Sequence, residues 1–121
     1  MKILIIDDDE LLRLTIKNTV KKLDCSVMEA ENGNAGIEMF KNERPDLVIT
    51  DILMPDKEGL ETITEIRAMS PGTRIIAMSG GGSTHNLSFL QWAEKVGANA
   101  IMSKPFKPEE LLAKIKNLMK I

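Results

Sequence analysis

The sequence predicts an α/β fold, because short apolar strands alternate with amphipathic helices along the chain. Five β-like runs have the length and the polar flanks of buried parallel strands. They lie at 2–6, 26–30, 46–50, 74–78 and 99–103. The segments between them repeat apolar residues at helical spacing over roughly 10–15 residues each, which is an ordinary helix length. Such alternation is typical of βα units, which build a parallel sheet with helices on both faces.

Each helix is predicted from an apolar stripe with spacings of three or four residues. In chain order, the stripes are Leu12, Ile16, Val20 and Leu23; Ala35, Gly36, Ile37 and Phe40; Leu60, Ile63 and Ile66; Phe89, Leu90, Ala93 and Val96; and Leu111, Leu112, Ile115, Leu118 and Met119. Pro108 followed by two glutamates suits the first turn of the last helix.

Five βα units in 121 residues are the content of one domain, so we predict a single domain over residues 1–121. Right-handed crossovers place the helices on both sides of the sheet and give a three-layer (βα)5 sandwich. At this length, the flavodoxin-like strand order 2-1-3-4-5 is the expected one.

The composition narrows the function classes. Hydrophobic residues make up 43% and charged residues 28% of the chain, enough for a core and a polar surface. A net charge of −2 gives no argument for direct nucleic-acid binding. The single cysteine, Cys25, excludes an internal disulfide and fits a reducing cytosol. The apolar runs are too short to cross a membrane, and the chain enters a strand without a signal peptide, so we expect a cytoplasmic protein.

Acidic residues close two of the predicted strands. Asp7, Asp8 and Asp9 follow the first strand, and Asp51 follows the third. In open α/β sheets, functional groups gather beyond the carboxyl ends of the strands, so Asp7, Asp8 and Asp51 can meet there. Carboxylates packed together raise one another's pKa. We therefore expect a divalent cation or a lysine to compensate the cluster.

Two further polar residues close two more of the predicted strands. Ser79 follows the fourth strand and Lys104 the fifth, so both converge on the acids in the predicted strand order. Carboxylates suit Mg²⁺, which takes oxygen ligands and keeps some water. A carboxylate can also attack phosphorus to give an aspartyl phosphate. Lys104 and Ser79 could then bind the transferred group by charge and by hydrogen bonding.

These residues lie in four motifs that resemble those of receiver domains from bacterial two-component response regulators, of the stand-alone chemotaxis type. The motifs are Ile5-Ile6-Asp7-Asp8, Ile49-Thr50-Asp51-Ile52-Leu53-Met54-Pro55, Ala77-Met78-Ser79-Gly80 and Ser103-Lys104-Pro105-Phe106. The resemblance covers essentially the whole chain, and four motifs in order are far more specific than any one alone.

The resemblance implies that Asp51 accepts a phosphoryl group from a histidine kinase. It implies direct Mg²⁺ ligation by Asp8, Asp51 and the backbone carbonyl of Leu53, with Asp7 acting largely through water. Ser79 would move to contact the phosphoryl group. The domain would catalyse only its own phosphorylation and dephosphorylation.

The family also implies that Lys104 pairs with the phosphoryl group and precedes a cis bond to Pro105. The partners would be a histidine kinase or phosphotransfer protein upstream, and a downstream protein or output domain. The fourth helix, fifth strand and fifth helix would form the readout surface, with Thr84, Asn86 and Trp92 as candidate contacts. Homodimerisation on activation stays open.

The chain departs from the family pattern in three ways. Ile101 stands where many members have an aromatic switch residue, so we expect switching through Ser79 and loop motion instead. The glycine-rich segment 80–86 looks longer than in compact receivers. Leu53 and Gly81 offer no polar side chain to orient water, which predicts slow to moderate loss of the phosphoryl group.

Two other functions remain open from the residues. A receiver that had lost its chemistry would serve as a constitutive binding scaffold. A Mg²⁺-dependent phosphatase with an aspartyl nucleophile would use an Asp-x-Asp pair after the first strand, a spacing that Asp7 and Asp9 satisfy. Asp9 also suits the N-terminus of the first helix, and Trp92 lies at the edge of its stripe, either in the core or half exposed.

Overall fold

The computed structural model describes residues 1–52, 59–79 and 91–121, and the predicted elements recur there in the predicted order. The strands are β1 (Lys2–Ile6), β2 (Ser26–Ala30), β3 (Leu47–Asp51), β4 (Arg74–Ser79) and β5 (Ala100–Ser103). The helices are α1 (Glu10–Val20), α2 (Gly33–Glu43), α3 (Gly59–Met69), the helical residues 91–96, which we label α4, and α5 (Pro108–Met119).

The five strands form one parallel sheet in the order β2-β1-β3-β4-β5, which confirms the predicted topology. The predicted bounds of three strands were wrong by one residue. The third strand extends through Asp51 because that residue pairs with Met78, and the fourth extends to Ser79, which pairs with Ser103. The fifth begins at Ala100, since Asn99 turns its side chain to the backbone N–H of Ile75.

Two apolar layers hold the helices against the sheet. On one face, Ile16 and Val20 of α1 and Ile115 of α5 pack against β1, β3 and β4 and are fully buried. On the other, α2, α3 and α4 pack through residues such as Phe40 and Ile63. The predicted stripes therefore supply the core. Within the described residues, no helix is long and apolar enough to span a membrane.

The start of α1 is fixed by the acidic segment that follows β1. Asp9 has extended backbone angles, and its Oδ1 accepts hydrogen bonds from the N–H groups of Leu11 and Leu12 at 3.0 and 3.2 Å. This is the N-cap arrangement that satisfies free amides at a helix start. Asp9 is thus committed to the helix, as one of the sequence interpretations expected.

Candidate functional site

The residues predicted to carry chemistry meet at the carboxyl edge of the sheet. Asp7 follows β1, Asp51 ends β3, Ser79 ends β4 and Lys104 follows β5. β1 and β4 both flank β3. The backbone N–H of Lys104 donates to the carbonyl of Ser79 at 2.7 Å, which fixes the end of β5 against the end of β4. The sheet itself therefore brings together side chains that are distant in sequence.

Three carboxylates form the centre of this edge. Asp7, Asp8 and Asp51 each offer an oxygen atom, and these atoms lie within 4.8 Å of one another. Asp7 is fully buried, Asp51 is 5% exposed and Asp8 is exposed. Asp9 is not part of the cluster. Leu53, predicted to contribute its carbonyl, lies outside the described residues.

Every hydrogen-bonding group of Asp7 is engaged. Its Oδ1 accepts from the N–H of Asp9 at 2.8 Å, and its Oδ2 accepts from Lys104 Nζ at 3.0 Å. Its own N–H donates to the carbonyl of Ala30 at 3.1 Å, and its carbonyl accepts from Arg13 Nη1 at 2.6 Å. This complete set of partners holds a buried carboxylate in place.

Lys104 links two of the acids. Its Nζ lies 3.0 Å from Asp7 Oδ2 and 3.4 Å from Asp51 Oδ1, with its side chain only 19% exposed. The Lys104–Pro105 peptide bond is cis, as the family resemblance implied. One ammonium between two carboxylates leaves the cluster with an excess of negative charge, counting Asp8.

Asp51 carries a strongly perturbed pKa. Burial raises the pKa of this carboxyl group to about 6, and the nearby Lys104 ammonium opposes the rise, while Asp7 adds a smaller increase. The N–H of Ile52 donates to Asp51 Oδ1 at 2.9 Å. Among the described residues, no hydrogen bond or ion pair engages Oδ2. Within the described part of the chain, one oxygen of this carboxylate is therefore left for an incoming group.

The hydroxyl group of Ser79 is buried and has unused hydrogen-bonding capacity among the described residues. The residue is fully buried, and among the described residues its Oγ has no hydrogen-bond partner. Buried polar atoms are nearly always paired, and an unpaired one costs free energy. Because Ser79 ends β4 beside Asp51, its hydroxyl is suited to a ligand oxygen bound at this edge.

The donor set fits Mg²⁺. Two buried carboxylates and one exposed carboxylate offer hard oxygen ligands at close range, and the exposed Asp8 leaves room for water on the metal. Histidine and thiol ligands, which softer metals prefer, are absent from the cluster that the described residues form.

Sequence reasoning missed two residues that shape this edge. Arg13 binds the carbonyl of Asp7, although as a helical arginine it carries no distinctive signal. Gly59, the first residue of α3, lies so close to β3 that a Cβ atom would be 2.5 Å from Ile52 Cα and in collision with the carbonyl of Asp51. A glycine that opens a helix shortly after the strand ending in Asp51 was a usable signal for such close approach.

Other predicted positions fall away from the acids or outside the described residues. Ile101 is half-buried against the apolar layer of α2 and α3. Trp92 is 56% exposed, with Lys95 Nζ 5.2 Å from its ring centre, so the half-exposed alternative holds. Thr84, Asn86 and the glycine-rich segment 80–86, with Gly81, lie outside the described residues.

The comparisons with known proteins agree with this fold and site. A family model for the response regulator receiver domain matches residues 3–116, and the chain belongs to that family. The chain is CheY-like. It is 36% identical to the chemotaxis protein CheY of Listeria monocytogenes over 121 residues, covering 99% of each chain. It is also 36% identical to CheY of Bacillus subtilis, covering 94% of this chain and 93% of that protein.

Solved structures give the same result. A CheY-like response regulator receiver domain protein from Methanospirillum hungatei is 32% identical, with a TM-score of 0.87, covering 98% of this chain and 94% of that one. Phosphoryl transfer to an acidic pocket that binds Mg²⁺ is general in this family, and CheY-like receivers interact with histidine kinases and downstream targets. The chain is thus a receiver domain of two-component signalling.

Proposed function

We propose that this receiver is a working phosphorylation switch in which Asp51 accepts the phosphoryl group. The observation that carries the proposal is the meeting of three carboxylates, Lys104 and the Ser79 hydroxyl, which no described residue satisfies, at one sheet edge. Asp51 is chosen over its neighbours because no described residue engages its Oδ2. Asp7 has both oxygens engaged, and Asp8 lies exposed at the rim.

The chemistry is a phosphoryl transfer that yields an acyl phosphate on Asp51. Asp51 Oδ2 forms a bond to phosphorus while the bond from phosphorus to the donor breaks, and the donor leaves with that electron pair. A kinase histidine or a small acyl phosphate serves as donor. Asp51 reacts as the carboxylate, which its pKa of about 6 allows at neutral pH.

Mg²⁺, when bound by Asp8, Asp51 and the Leu53 carbonyl with Asp7 through water, would offset the charge between donor and carboxylate. Lys104, already 3.4 Å from Asp51, provides a cation for the phosphoryl oxygens. Ser79 supplies the remaining hydrogen bond once it reorients. Asp51 thus acts as nucleophile and metal ligand, Asp8 as metal ligand, Lys104 as cation and Ser79 as hydrogen-bond donor.

Phosphorylation would then alter the surface formed by α4, β5 and α5. The added charge biases a conformational equilibrium, and the satisfied Ser79 hydroxyl draws the end of β4 toward Asp51. Position 101 of β5 is an isoleucine packed against the core, so its side chain has no aromatic ring that could rotate. Switching in this chain therefore depends on Ser79 and the segment after it.

We further propose that residues 1–121 form one receiver domain that works in the cytoplasm. A histidine kinase or phosphotransfer protein would supply the phosphoryl group, and a downstream protein or output domain would read the α4–β5–α5 surface. The exposed Trp92 beside Lys95 supports that surface as a contact area. Neither nucleic acid nor membrane is expected as a direct partner.

The two alternative functions fit these observations less well. A scaffold without chemistry has no need of a buried acid cluster with a raised pKa on Asp51. An Asp-x-Asp phosphatase would need Asp7 as nucleophile and Asp9 as its acid, but Asp7 has both oxygens engaged and Asp9 caps α1.

The test is the intact mass of the protein after incubation with acetyl phosphate, with and without Mg²⁺. We expect a phosphoryl adduct on the wild type that needs Mg²⁺ and is absent from Asp51→Asn. Asp46→Asn, which changes an exposed acid at the opposite edge of the sheet, is the matched control and should form the adduct normally. An adduct that ignores either Mg²⁺ or Asp51 would contradict the proposal.

A further inference from the structure

Arg13 is a charged side chain that is held near the acid cluster without touching its carboxylates. It lies on α1, one turn after the Asp9 cap, and its side chain is only 14% exposed. Its Nη1 donates to the backbone carbonyl of Asp7 at 2.6 Å, and its Nε donates to Glu29 Oε1 at 3.2 Å. One guanidinium therefore joins α1, the β1–α1 turn and β2.

Glu29 anchors this arrangement from the neighbouring strand. It lies on β2, paired with Ile5 of β1, and its side chain is 33% exposed. Its second oxygen accepts from Lys17 Nζ at 3.3 Å. Glu29 thus holds Arg13 by one oxygen and Lys17 by the other, and its negative charge is met by two cations.

The atom that Arg13 binds determines where Asp8 points. The carbonyl of Asp7 belongs to the peptide group that links Asp7 to Asp8, and a peptide group is planar. Fixing that oxygen fixes the plane and hence the direction in which the Asp8 backbone leaves β1. Among the described residues, no hydrogen bond restrains the Asp8 side chain, so its place in the cluster depends on this backbone direction.

We infer that Arg13 is a positioning residue for the Mg²⁺ site, acting through the Asp7–Asp8 peptide rather than through its charge. The inference rests on the proposed function, since it assumes that Asp8 ligates Mg²⁺. The charge of Arg13 is already matched by Glu29. What Arg13 adds is a two-pronged donor that reaches a carbonyl and a carboxylate at once, a geometry that lysine cannot reproduce.

The test compares Mg²⁺ dissociation constants measured by calorimetry for the wild type, Arg13→Lys and Arg13→Met. Residues that orient metal ligands typically contribute 10–100-fold to metal affinity, so we expect both variants to bind about tenfold more weakly. Lys17→Met is the matched control. It removes the other cation on Glu29 without touching Asp7, and its Mg²⁺ affinity should stay within about twofold of wild type.

A second readout separates positioning from general damage. The rate of adduct formation with acetyl phosphate should need more Mg²⁺ for half-saturation in Arg13→Lys, while the rate at saturating Mg²⁺ stays near that of the wild type. The free energy of unfolding in EDTA reports any loss of folding. If the Arg13 variants fail to fold, Glu29→Gln keeps Arg13 but weakens its anchor, and it should show a smaller loss of affinity in the same direction.

The outcomes are distinct. Wild-type affinity in a folded Arg13→Lys or Arg13→Met protein would overturn the inference and leave the proposed function standing. If the Arg13 variants do not fold, wild-type Mg²⁺ affinity in Glu29→Gln would likewise overturn the inference and leave the proposed function standing. Absence of Mg²⁺ binding by the wild type would overturn the proposed function, and this inference with it.

Discussion

At the scale of single residues, the carboxyl edge of the sheet contains two side chains, Asp51 and Ser79, whose burial lowers the stability of the fold. Asp51 is buried next to Asp7, and its raised pKa reports the cost of keeping it ionised there. Ser79 is buried with a hydroxyl that no described residue satisfies. A sequence selected for stability alone would avoid both, whereas a phosphoryl group would make use of both.

The first prediction concerns the pH dependence of stability in metal-free buffer. The pKa of Asp51 is about 6 in the folded state against an ordinary value of 3.8. Between these values the folded state binds more protons than the unfolded state, so the Asp51 contribution to the free energy of unfolding falls as pH rises through this window and is constant above it. Asp51→Asn removes the penalty and should raise that free energy at neutral pH by about 1–2 kcal/mol.

Urea titrations at several pH values check this prediction. The gap between Asp51→Asn and wild type should close as the pH falls toward the ordinary pKa of aspartate. Glu38→Gln, at an exposed position on α2, serves as control and should show no such gap. Parallel pH profiles for wild type and Asp51→Asn would show that burial does not penalise the carboxylate.

The second prediction concerns Ser79. Removing an unsatisfied buried hydroxyl relieves a desolvation cost, so Ser79→Ala should raise the free energy of unfolding by about 1 kcal/mol while slowing adduct formation with acetyl phosphate. Thr50→Val is the matched control, because the Thr50 hydroxyl donates to the carbonyl of Asp51 at 3.0 Å, and its loss should destabilise. A Ser79→Ala protein as destabilised as Thr50→Val would mean that the hydroxyl already has a partner.

At the scale of elements, the strand ends were predictable and their supports were not. Apolar runs followed by acids, serine and lysine placed Asp7, Asp51, Ser79 and Lys104 correctly, because the carboxyl ends of parallel strands share one edge. Arg13 was missed because its role depends on a carbonyl that only the folded turn exposes to it. The one-residue errors at β3, β4 and β5 arose because register, not hydrophobicity, decides where pairing stops.

The third prediction concerns the junction of β3 and α3. A methyl group at position 59 would collide with backbone of Asp51 and Ile52, which cannot move aside as a flexible side chain would. Gly59→Ala should therefore lower the free energy of unfolding by about 2 kcal/mol or more, and weaken Mg²⁺ binding through displacement of Asp51.

Gly72→Ala is the control for this substitution. A Cβ atom at Gly72 would meet nothing within 4 Å, so its effect should stay within about 0.5 kcal/mol. Chemical denaturation and calorimetry measure both quantities. Equal stabilities of the two alanine variants would show that the α3 start can shift freely.

The fourth prediction concerns Arg67, which ties the end of α3 to the loop after α4. Its guanidinium donates to the side-chain oxygen of Asn99. It also donates to four backbone carbonyls, those of Gly97, Ser70, Pro71 and Thr73. Arg67→Met would leave several of these acceptors unpaired and should lower the free energy of unfolding by about 2–3 kcal/mol.

Arg74→Gln is the comparison variant for Arg67. Burial lowers the pKa of Arg67, and the positive charge of Arg74 lowers it further. Arg74→Gln relieves this repulsion and should change the free energy of unfolding by less than about 0.5 kcal/mol. Thermal and urea denaturation report both effects. An Arg67→Met protein as stable as Arg74→Gln would refute the role of Arg67 as a tie between the two elements.

At the scale of the whole molecule, the fold separates a rigid support from a reactive edge. Two apolar layers on opposite faces of the sheet hold the strands, while Asp7, Asp8, Asp51 and Lys104 cluster beyond the carboxyl ends of the strands. The fold class and strand order followed from the alternation of βα units, because few topologies satisfy that pattern. The metal-site contribution of Leu53 stays a prediction.

The central claim is that Asp51, and no other residue of the cluster, receives the phosphoryl group. The most direct measurement is borohydride reduction of protein treated with acetyl phosphate and Mg²⁺, followed by peptide mass spectrometry, because borohydride converts an aspartyl phosphate to homoserine. The account predicts reduction at position 51 alone, and none without Mg²⁺. Reduction at Asp7 or Asp8, or a phosphoryl group found on Ser79, would contradict it.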